Sequence, residues 1–212
     1  HLILFQNRIA SAHKNNKNYE IARDYLKQNL VLLASHPDQV SEVYVTYDLG
    51  LLYRDMEQLD SAIVFMSKSV ELMNPKKRNT YLPQLATLYV DNQQFSEAKE
   101  ALDQVNTEWL KEKTTRGEYL SALAMLNAGL ENYFLATDLL DSAIILRSRN
   151  ARETARLKFA LSEVYTKMGN DASAMVEYKQ ADALEDSIFS IEKQEVIADL
   201  ESKFQLSERE KD

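Results

Sequence analysis

Residues 44–75, YVTYDLGLLYRDMEQLDSAIVFMSKSVELMNP, have the pattern of two helices that pack against each other and end at a proline. Apolar and small residues recur three and four positions apart in both halves, which is the spacing of one face of an α-helix. The pattern rests on Leu49, Gly50 and Tyr53 in the first half, and on Ala62, Met66, Val70 and Pro75 in the second. The stretch therefore predicts a helical hairpin.

The same pattern recurs five times, at intervals of 36 to 40 residues. In each copy an alanine lies thirteen residues after an aliphatic residue, which is itself followed by a small residue. Two helices approach closely only where the facing side chains are small, so these two positions predict the crossing point of each hairpin. The small residues are Ala10, Gly50, Ala86, Ala124 and Ser162, and the alanines are Ala22, Ala62, Ala98, Ala136 and Ala174.

The order L-G-x-x-Y, a small residue, an apolar residue and a proline resembles the tetratricopeptide repeat, TPR. The resemblance implies an all-α fold, a right-handed superhelix of about five TPR-like hairpins followed by a long C-terminal helix. The intervals exceed the usual repeat of about 34 residues, so longer helices or connections are expected. Pro83 is expected in the first turn of a helix that begins near Leu82. The predicted array occupies residues 1–185, with hairpins at about 2–36, 38–75, 77–105, 117–147 and 150–184, and the C-terminal helix occupies residues 186–212.

Composition agrees with an all-α chain and excludes several functions. Of the 212 residues, 45% are apolar and only 4 are glycine and 3 proline, too few for the turns of a β-sandwich. The formal net charge of -8 disfavours nucleic-acid binding by this segment. The absence of cysteine excludes disulfides and cysteine-ligated metals. No apolar run approaches the roughly 20 residues that a membrane helix needs.

From Asp186 onward, apolar residues at helical spacing and the absence of a hairpin turn predict one amphipathic helix that begins there. Its segments DSIF (186–189), EKQ (192–194) and IADLESKF (197–204) resemble the junction helix of a bacterial family. Those proteins join an extracytoplasmic TPR array to a membrane span and a cytoplasmic DNA-binding or histidine-kinase output. The resemblance implies the sensor part of a signal-transduction or transcriptional regulator, with its membrane segment outside this sequence.

The alternative is a soluble cytoplasmic TPR scaffold whose tail only caps the array or forms a dimer. An apolar stripe beyond the array has little else to pack against, which favours a homodimer in either case. The stripe that would form this contact consists of Ile197, Leu200 and Phe204.

No pattern of catalytic residues is present. The three histidines lack the spacing of a zinc site, and no glycine-rich phosphate loop or nucleophile elbow occurs. The sequence therefore predicts no catalytic residue, metal or cofactor, and a protein that is not an enzyme.

In TPR arrays the first helix of each hairpin lines the concave face, and this places a protein or peptide ligand on that face. Exposed aromatic residues with flanking charges suit extended peptides or a partner helix. Counting from the repeat positions, the predicted contacts are Tyr44, Tyr47, Leu51, Arg54, Asp55, Thr87, Asp91, Met125, Phe159, Glu163 and Lys167.

Overall fold

The structure, a computed structural model, describes the backbone of residues 2–209 and the side chains of residues 2–191 and 194 except Trp109. Over this part of the chain the fold is all-α, as predicted, with ten α-helices and one short 3-10 helix, Thr107–Trp109. The α-helices are α1 (Leu2–Asn15), α2 (Tyr19–Ser35), α3 (Gln39–Asp55), α4 (Leu59–Leu72), α5 (Pro75–Asp91), α6 (Phe95–Asp103), α7 (Lys113–Gly129), α8 (Tyr133–Arg147), α9 (Ala151–Lys167) and α10 (Asp171–Arg209).

Consecutive helices pair into five hairpins, and the second helix of each hairpin packs on the first helix of the next. The predicted crossing residues lie at these contacts. Ala62 on α4 is fully buried, and a Cβ added to Gly50 on α3 would lie 3.3 Å from the carbonyl oxygen of Ala62 and 3.1 Å from the backbone nitrogen of Met66. The small residues are therefore needed because the two backbones nearly touch.

Each hairpin turns through one residue in the left-handed region, five positions before the repeat alanine. The residues are Lys17, Glu57, Gln93, Glu131 and Gly169, with φ between 59° and 74°. In the second hairpin, Glu57 N–H donates to the carbonyl of Arg54, and Gln58 N–H donates to that of Tyr53. These are the two hydrogen bonds of a Schellman motif, which satisfies carbonyls at the end of the first helix.

Glycine at this turn position should stabilise the fold, because a left-handed backbone costs other residues about 1–2 kcal/mol. We expect Glu57→Gly to raise the free energy of unfolding by about 0.5–1 kcal/mol in urea denaturation, after the entropy cost of glycine is included. The reverse change, Gly169→Ala, should lower it by a similar amount, since a Cβ there meets no atom within 4 Å and only the backbone is affected. If both substitutions raised the free energy of unfolding, or both lowered it, this explanation of the turn would be wrong.

The variation in repeat length comes from the second helices and the connections. The first helices α3, α5, α7 and α9 all have 17 residues. Among the second helices, α2 has 17 residues, α4 has 14, α6 has 9 and α8 has 15. The connection after α6, the shortest second helix, contains the 3-10 helix. The first helices α3, α5, α7 and α9 therefore keep one length, while the second helices and connections vary.

The start of α5 differs from the prediction. This helix begins at Pro75, capped by the Asn74 side chain, which accepts the N–H of Lys77 at 3.0 Å. Pro83 lies inside the helix, and its missing N–H costs one hydrogen bond. The helix continues on both sides because it buries Leu82 and Leu85 at 3% and 5% exposure, which outweighs that loss.

The start of the last helix also differs. The helix predicted to begin at Asp186 begins at Asp171, so the second helix of the fifth hairpin runs on without a break to Arg209. No glycine or proline occurs between residues 170 and 209 that would end it. No helix within the described part of the chain is long and apolar enough to span a membrane.

Candidate binding groove

A cavity of about 510 Å³ lies along the first helices of hairpins two to five. It has an apolar floor that includes Leu51, Pro83 and Leu88, with polar and charged side chains around it. We call it the groove cavity. Its lining residues are Tyr47, Leu51 and Arg54 from α3, Pro83, Gln84, Thr87, Leu88 and Asp91 from α5, Glu118 and Ser121 from α7, and Glu153 and Arg156 from α9.

Tyr47 is held in place at one end of the groove cavity. Its hydroxyl donates to Oε1 of Gln84 at 2.9 Å, and its ring meets that of Tyr81 edge-on, with centroids 4.9 Å apart. Burial raises the pKa of Tyr47 to about 12, with a smaller contribution from Tyr81. The hydroxyl therefore stays protonated at neutral pH, and the ring offers a fixed aromatic surface.

A chain of ion pairs beside the cavity runs from α7 to α9. Glu118 pairs with Nη1 of Arg147 at 3.4 Å. Arg147 also pairs with Glu153 at 3.5 Å, and Arg156 pairs with the same carboxylate at 3.1 Å. Burial raises the pKa of Glu118, and Arg147 opposes that shift. These ion pairs join the fourth hairpin to the fifth along one side of the groove.

Asp91 differs from the other charged residues of the cavity. Arg54 pairs with Asp55 at 2.9 Å, and Glu118, Glu153 and Arg156 belong to the chain of contacts above. Asp91 has no ion pair within 4 Å among the described side chains. Its pKa is raised by partial burial, and the more distant Arg156 and Arg54 oppose that shift. It is therefore a carboxylate without a directly paired cation in the described part of the chain.

A second cavity of about 320 Å³ lies at the C-terminal ends of α5, α7 and α9. Phe95 forms part of its wall, and Gly129 provides the space for that ring, since a Cβ there would overlap Cε1 of Phe95. Met125, Glu163 and Lys167 line the same cavity. We call it the side cavity.

The structure brings most of the predicted contact residues together. Five of them line the groove cavity, namely Tyr47, Leu51, Arg54, Thr87 and Asp91, and three line the side cavity, namely Met125, Glu163 and Lys167. Their position next to a cavity makes them candidates for ligand contacts. Their role in binding stays a prediction.

Three predicted residues lie elsewhere. Tyr44 lines a separate cavity of about 230 Å³ with Lys77, whose ammonium lies 5.7 Å from the ring centroid. Asp55 pairs with Lys14 and Arg54 beside the groove. Phe159 packs edge-on against Tyr178 of α10, the second helix of its own hairpin. Ile197, Leu200 and Phe204 belong to the helical backbone of α10, and their side chains lie outside the described residues.

Two residues of the groove cavity could have been predicted from the repeat. Glu118 and Arg156 stand six positions before Ala124 and Ser162, the same place that Tyr44 has before Gly50. Extending the pattern to every hairpin would have found both. Gln84 and Glu153 also line the cavity but do not share that position in the repeat.

A buried polar cluster connects the first hairpin to the second. Asn29 donates to Oδ1 of Asn7 at 2.6 Å, and Asn7 donates to Oδ2 of Asp48 at 3.0 Å. Burial raises the pKa of Asp48 to about 6, although Lys14 and Asn7 both favour its charged form. The cluster therefore contains a carboxylate that titrates just below neutral pH.

This shift predicts a pH dependence of stability. A carboxylate whose pKa is higher in the folded state contributes stability below its unfolded pKa of about 3.9, and that contribution is lost as the pH rises through 6. Between pH 5 and 7.5, Asp48 should lower the free energy of unfolding by about 1 kcal/mol. The unfolding free energy is measured by urea denaturation at several pH values in this range. Asp48→Asn should reduce its change with pH, whereas the exposed control Asp24→Asn should show the same change as the wild type. If Asp48→Asn kept the pH dependence of the wild type, Asp48 would not be its source.

The stacked hairpins and the groove along their first helices define the class of TPR-like repeat scaffolds. The family model described as tetratricopeptide repeat matches residues 45–73, which covers α4 and most of α3. The chain thus contains a tetratricopeptide repeat, and its fold is that of TPR-like repeat proteins. This fold generally serves as a non-catalytic scaffold for binding other proteins.

Solved structures share the fold at low sequence identity. A Rap protein complexed with Competence and Sporulation Factor has a TM-score of 0.71 and 17% identity, with 88% of this chain and 55% of that one covered. A putative kinesin light chain from Podosopora anserina, with nearly identical TPR-like repeats, has a TM-score of 0.65 and 19% identity over 89% and 96%. MamA from Desulfovibrio magneticus RS-1 has a TM-score of 0.58 and 14% identity over 87% and 96%. No curated protein matches the sequence.

Proposed function

We propose that the groove cavity binds an extended peptide segment of a partner protein. The observation that carries the proposal is the cavity itself, about 510 Å³ in volume and lined by four successive first helices. Its apolar floor suits side chains of a ligand, while the hydroxyl oxygens of Tyr47 and Thr87 can still accept hydrogen bonds and the amide nitrogen of Gln84 can donate one to a peptide backbone. The chain of ion pairs from Glu118 to Arg156 fixes the groove before binding, which lowers the entropy cost of association.

The comparisons support this proposal at the level of the fold. The Rap protein was solved in complex with Competence and Sporulation Factor, so a similar array accommodates a bound factor.

The proposal is tested by selecting peptides from a displayed library with the full chain as bait. Thr87→Trp should fill the groove cavity and weaken binding of the selected peptides at least about tenfold, by steric exclusion. The matched control Val64→Trp places the same side chain at an exposed position on α4, where the wild-type residue is 64% exposed, and should bind normally. Circular dichroism verifies that both variants are folded. Equal binding by Thr87→Trp and the wild type would overturn the proposal.

We further propose that this binding module is the sensor part of a regulator, and that α10 transmits the bound state. The specific observation is that α10 is both the second helix of the last hairpin and the start of the C-terminal segment, without a break at Asp186. A change in the packing of α9 on α10 would therefore move the distal part of the same helix. The alternative is a TPR scaffold in which the tail only caps the array or forms a dimer.

A spin label in the distal part of α10 distinguishes these two roles. For a sensor, its distance to a label on α3 should change when a selected peptide binds. In a scaffold the peptide should bind with the same affinity, but the distance between the two labels should stay constant. The homodimer predicted through Ile197, Leu200 and Phe204 is checked separately by sedimentation, and a monomer at high concentration would contradict it.

A further inference from the structure

We infer that the groove cavity selects a peptide with one basic side chain, which pairs with Asp91, between neutral or acidic residues. This inference rests on the proposed function and specifies its ligand. It begins from the charges that line the cavity. Four of the five charged lining residues have an opposite charge within 3.5 Å, and Asp91 is the fifth.

The position of Asp91 makes a cationic partner favourable. It is the last residue of α5, where the partial negative charge of the helix end disfavours another anion. Partial burial raises its pKa, which shows that the surroundings do not fully replace water around the charged form. A ligand ammonium or guanidinium would supply the missing hydrogen bonds and charge.

The floor of the cavity suits the rest of a basic side chain. Leu51 and Leu88 line the same cavity as Asp91, and Leu88 lies one helical turn before it on α5. The methylene stem of lysine or arginine can pack on such a surface while its charged end reaches a carboxylate. A basic residue thus uses both the apolar and the acidic part of the lining.

The two arginines of the cavity limit the number of basic residues in the ligand. Arg54 on α3 and Arg156 on α9 both act on Asp91 electrostatically, and their side chains remain 46% and 55% exposed. A second basic residue beside the first would meet one of these guanidinium groups. Each guanidinium also has a carboxylate beside it, Asp55 or Glu153, so the lining has no second site for a cation and favours one basic residue in the ligand.

The test uses the full chain and a positional-scanning library of short acetylated and amidated peptides. In each of four peptide sets the central position is fixed as lysine, arginine, norleucine or glutamate, and every other position is a mixture of amino acids. Norleucine keeps the apolar stem of lysine and removes its charge. We expect the lysine and arginine sets to bind about ten- to a hundredfold more tightly than the norleucine set in fluorescence competition, as a charge-assisted hydrogen bond provides.

Variants of the chain assign that preference to Asp91. Asp91→Asn should remove the difference between the lysine and norleucine sets, and Asp91→Lys should shift the preference to glutamate. The control Asp24→Asn, an exposed carboxylate on α2, should keep the wild-type preference. Circular dichroism of each variant excludes a loss of fold.

The outcomes separate this inference from the proposed function. Two results would show that the groove binds peptides but that Asp91 does not select a basic residue. In the first, Thr87→Trp abolishes binding while the wild-type chain binds all four peptide sets equally. In the second, Asp91→Asn keeps the preference for basic residues. If no set binds the wild-type chain, the proposed function fails and this inference fails with it.

Discussion

Arg147→Ala is expected to lower the free energy of unfolding by about 2–3 kcal/mol, because it leaves the half-buried Glu118 without its cation and leaves Glu153 with only the more exposed Arg156. The Arg147 side chain is 10% exposed and pairs with Glu118 at 3.4 Å and Glu153 at 3.5 Å. Its stem also packs over Gly117, where an added Cβ would lie 2.8 Å from Cγ of the arginine. Urea denaturation followed by circular dichroism measures the loss.

A neighbouring arginine provides the control for this change. Arg149 is exposed, so Arg149→Ala should change the stability by less than about 0.5 kcal/mol. Replacing Glu118 and Glu153 with glutamine in the Arg147→Ala background should recover part of the loss, since neutral side chains no longer need the cation. Equal stability of Arg147→Ala and Arg149→Ala would contradict the proposed contact chain.

The second large effect is expected at the helix crossing of the second hairpin. Ala62→Leu should lower the free energy of unfolding by about 1–3 kcal/mol, because the larger side chain cannot fit between α3 and α4 without moving one of them. The residue is fully buried, and the space opposite it is so narrow that even a methyl group on Gly50 would lie 3.3 Å from the carbonyl oxygen of Ala62.

The same substitution at an exposed alanine separates packing from helix propensity. Ala183 lies on α10 and is exposed, and alanine and leucine have similar helix propensities. Ala183→Leu should therefore be nearly neutral. If Ala62→Leu were also neutral, the crossing would have room that the repeat pattern excludes, and the explanation for the small residues would be wrong.

The hairpins could be predicted from the sequence because their determinants are local and periodic. Gly50 and Ala62 identify the crossing by spacing alone, and each turn has its left-handed residue at a fixed distance from the repeat alanine. The start of α5 was predicted wrongly, since a proline normally marks a first turn, whereas the burial of Leu82 and Leu85 keeps Pro83 inside the helix.

The groove could be predicted only in part. Tyr47, Leu51 and Thr87 follow from position in the repeat, and all three line the groove cavity. The contact between Arg147 and Glu118 joins residues on different helices, 29 positions apart, which no local pattern encodes. Phe159 and Tyr44 occupy groove positions in their hairpins, yet Phe159 packs against Tyr178 of its own hairpin and Tyr44 contacts Lys77 at the start of α5.

Most of the candidate ligand chemistry depends on these long-range contacts. Without Arg147, Glu118 would resemble Asp91, and the cavity would present two unpaired carboxylates rather than one. The fold is therefore determined mainly by the repeat positions, whereas the charge pattern of the groove depends on residues that vary from one hairpin to the next.

The central claim is that a partner peptide occupies the groove cavity, and photo-crosslinking tests it most directly. A photoreactive residue is placed at Thr87 in one variant and at the convex position Val64 in another, and each is irradiated with a peptide selected by the wild-type chain. We predict cross-linked peptide at position 87 and little at position 64. Equal yields at the two positions, or a yield only at position 64, would contradict the claim.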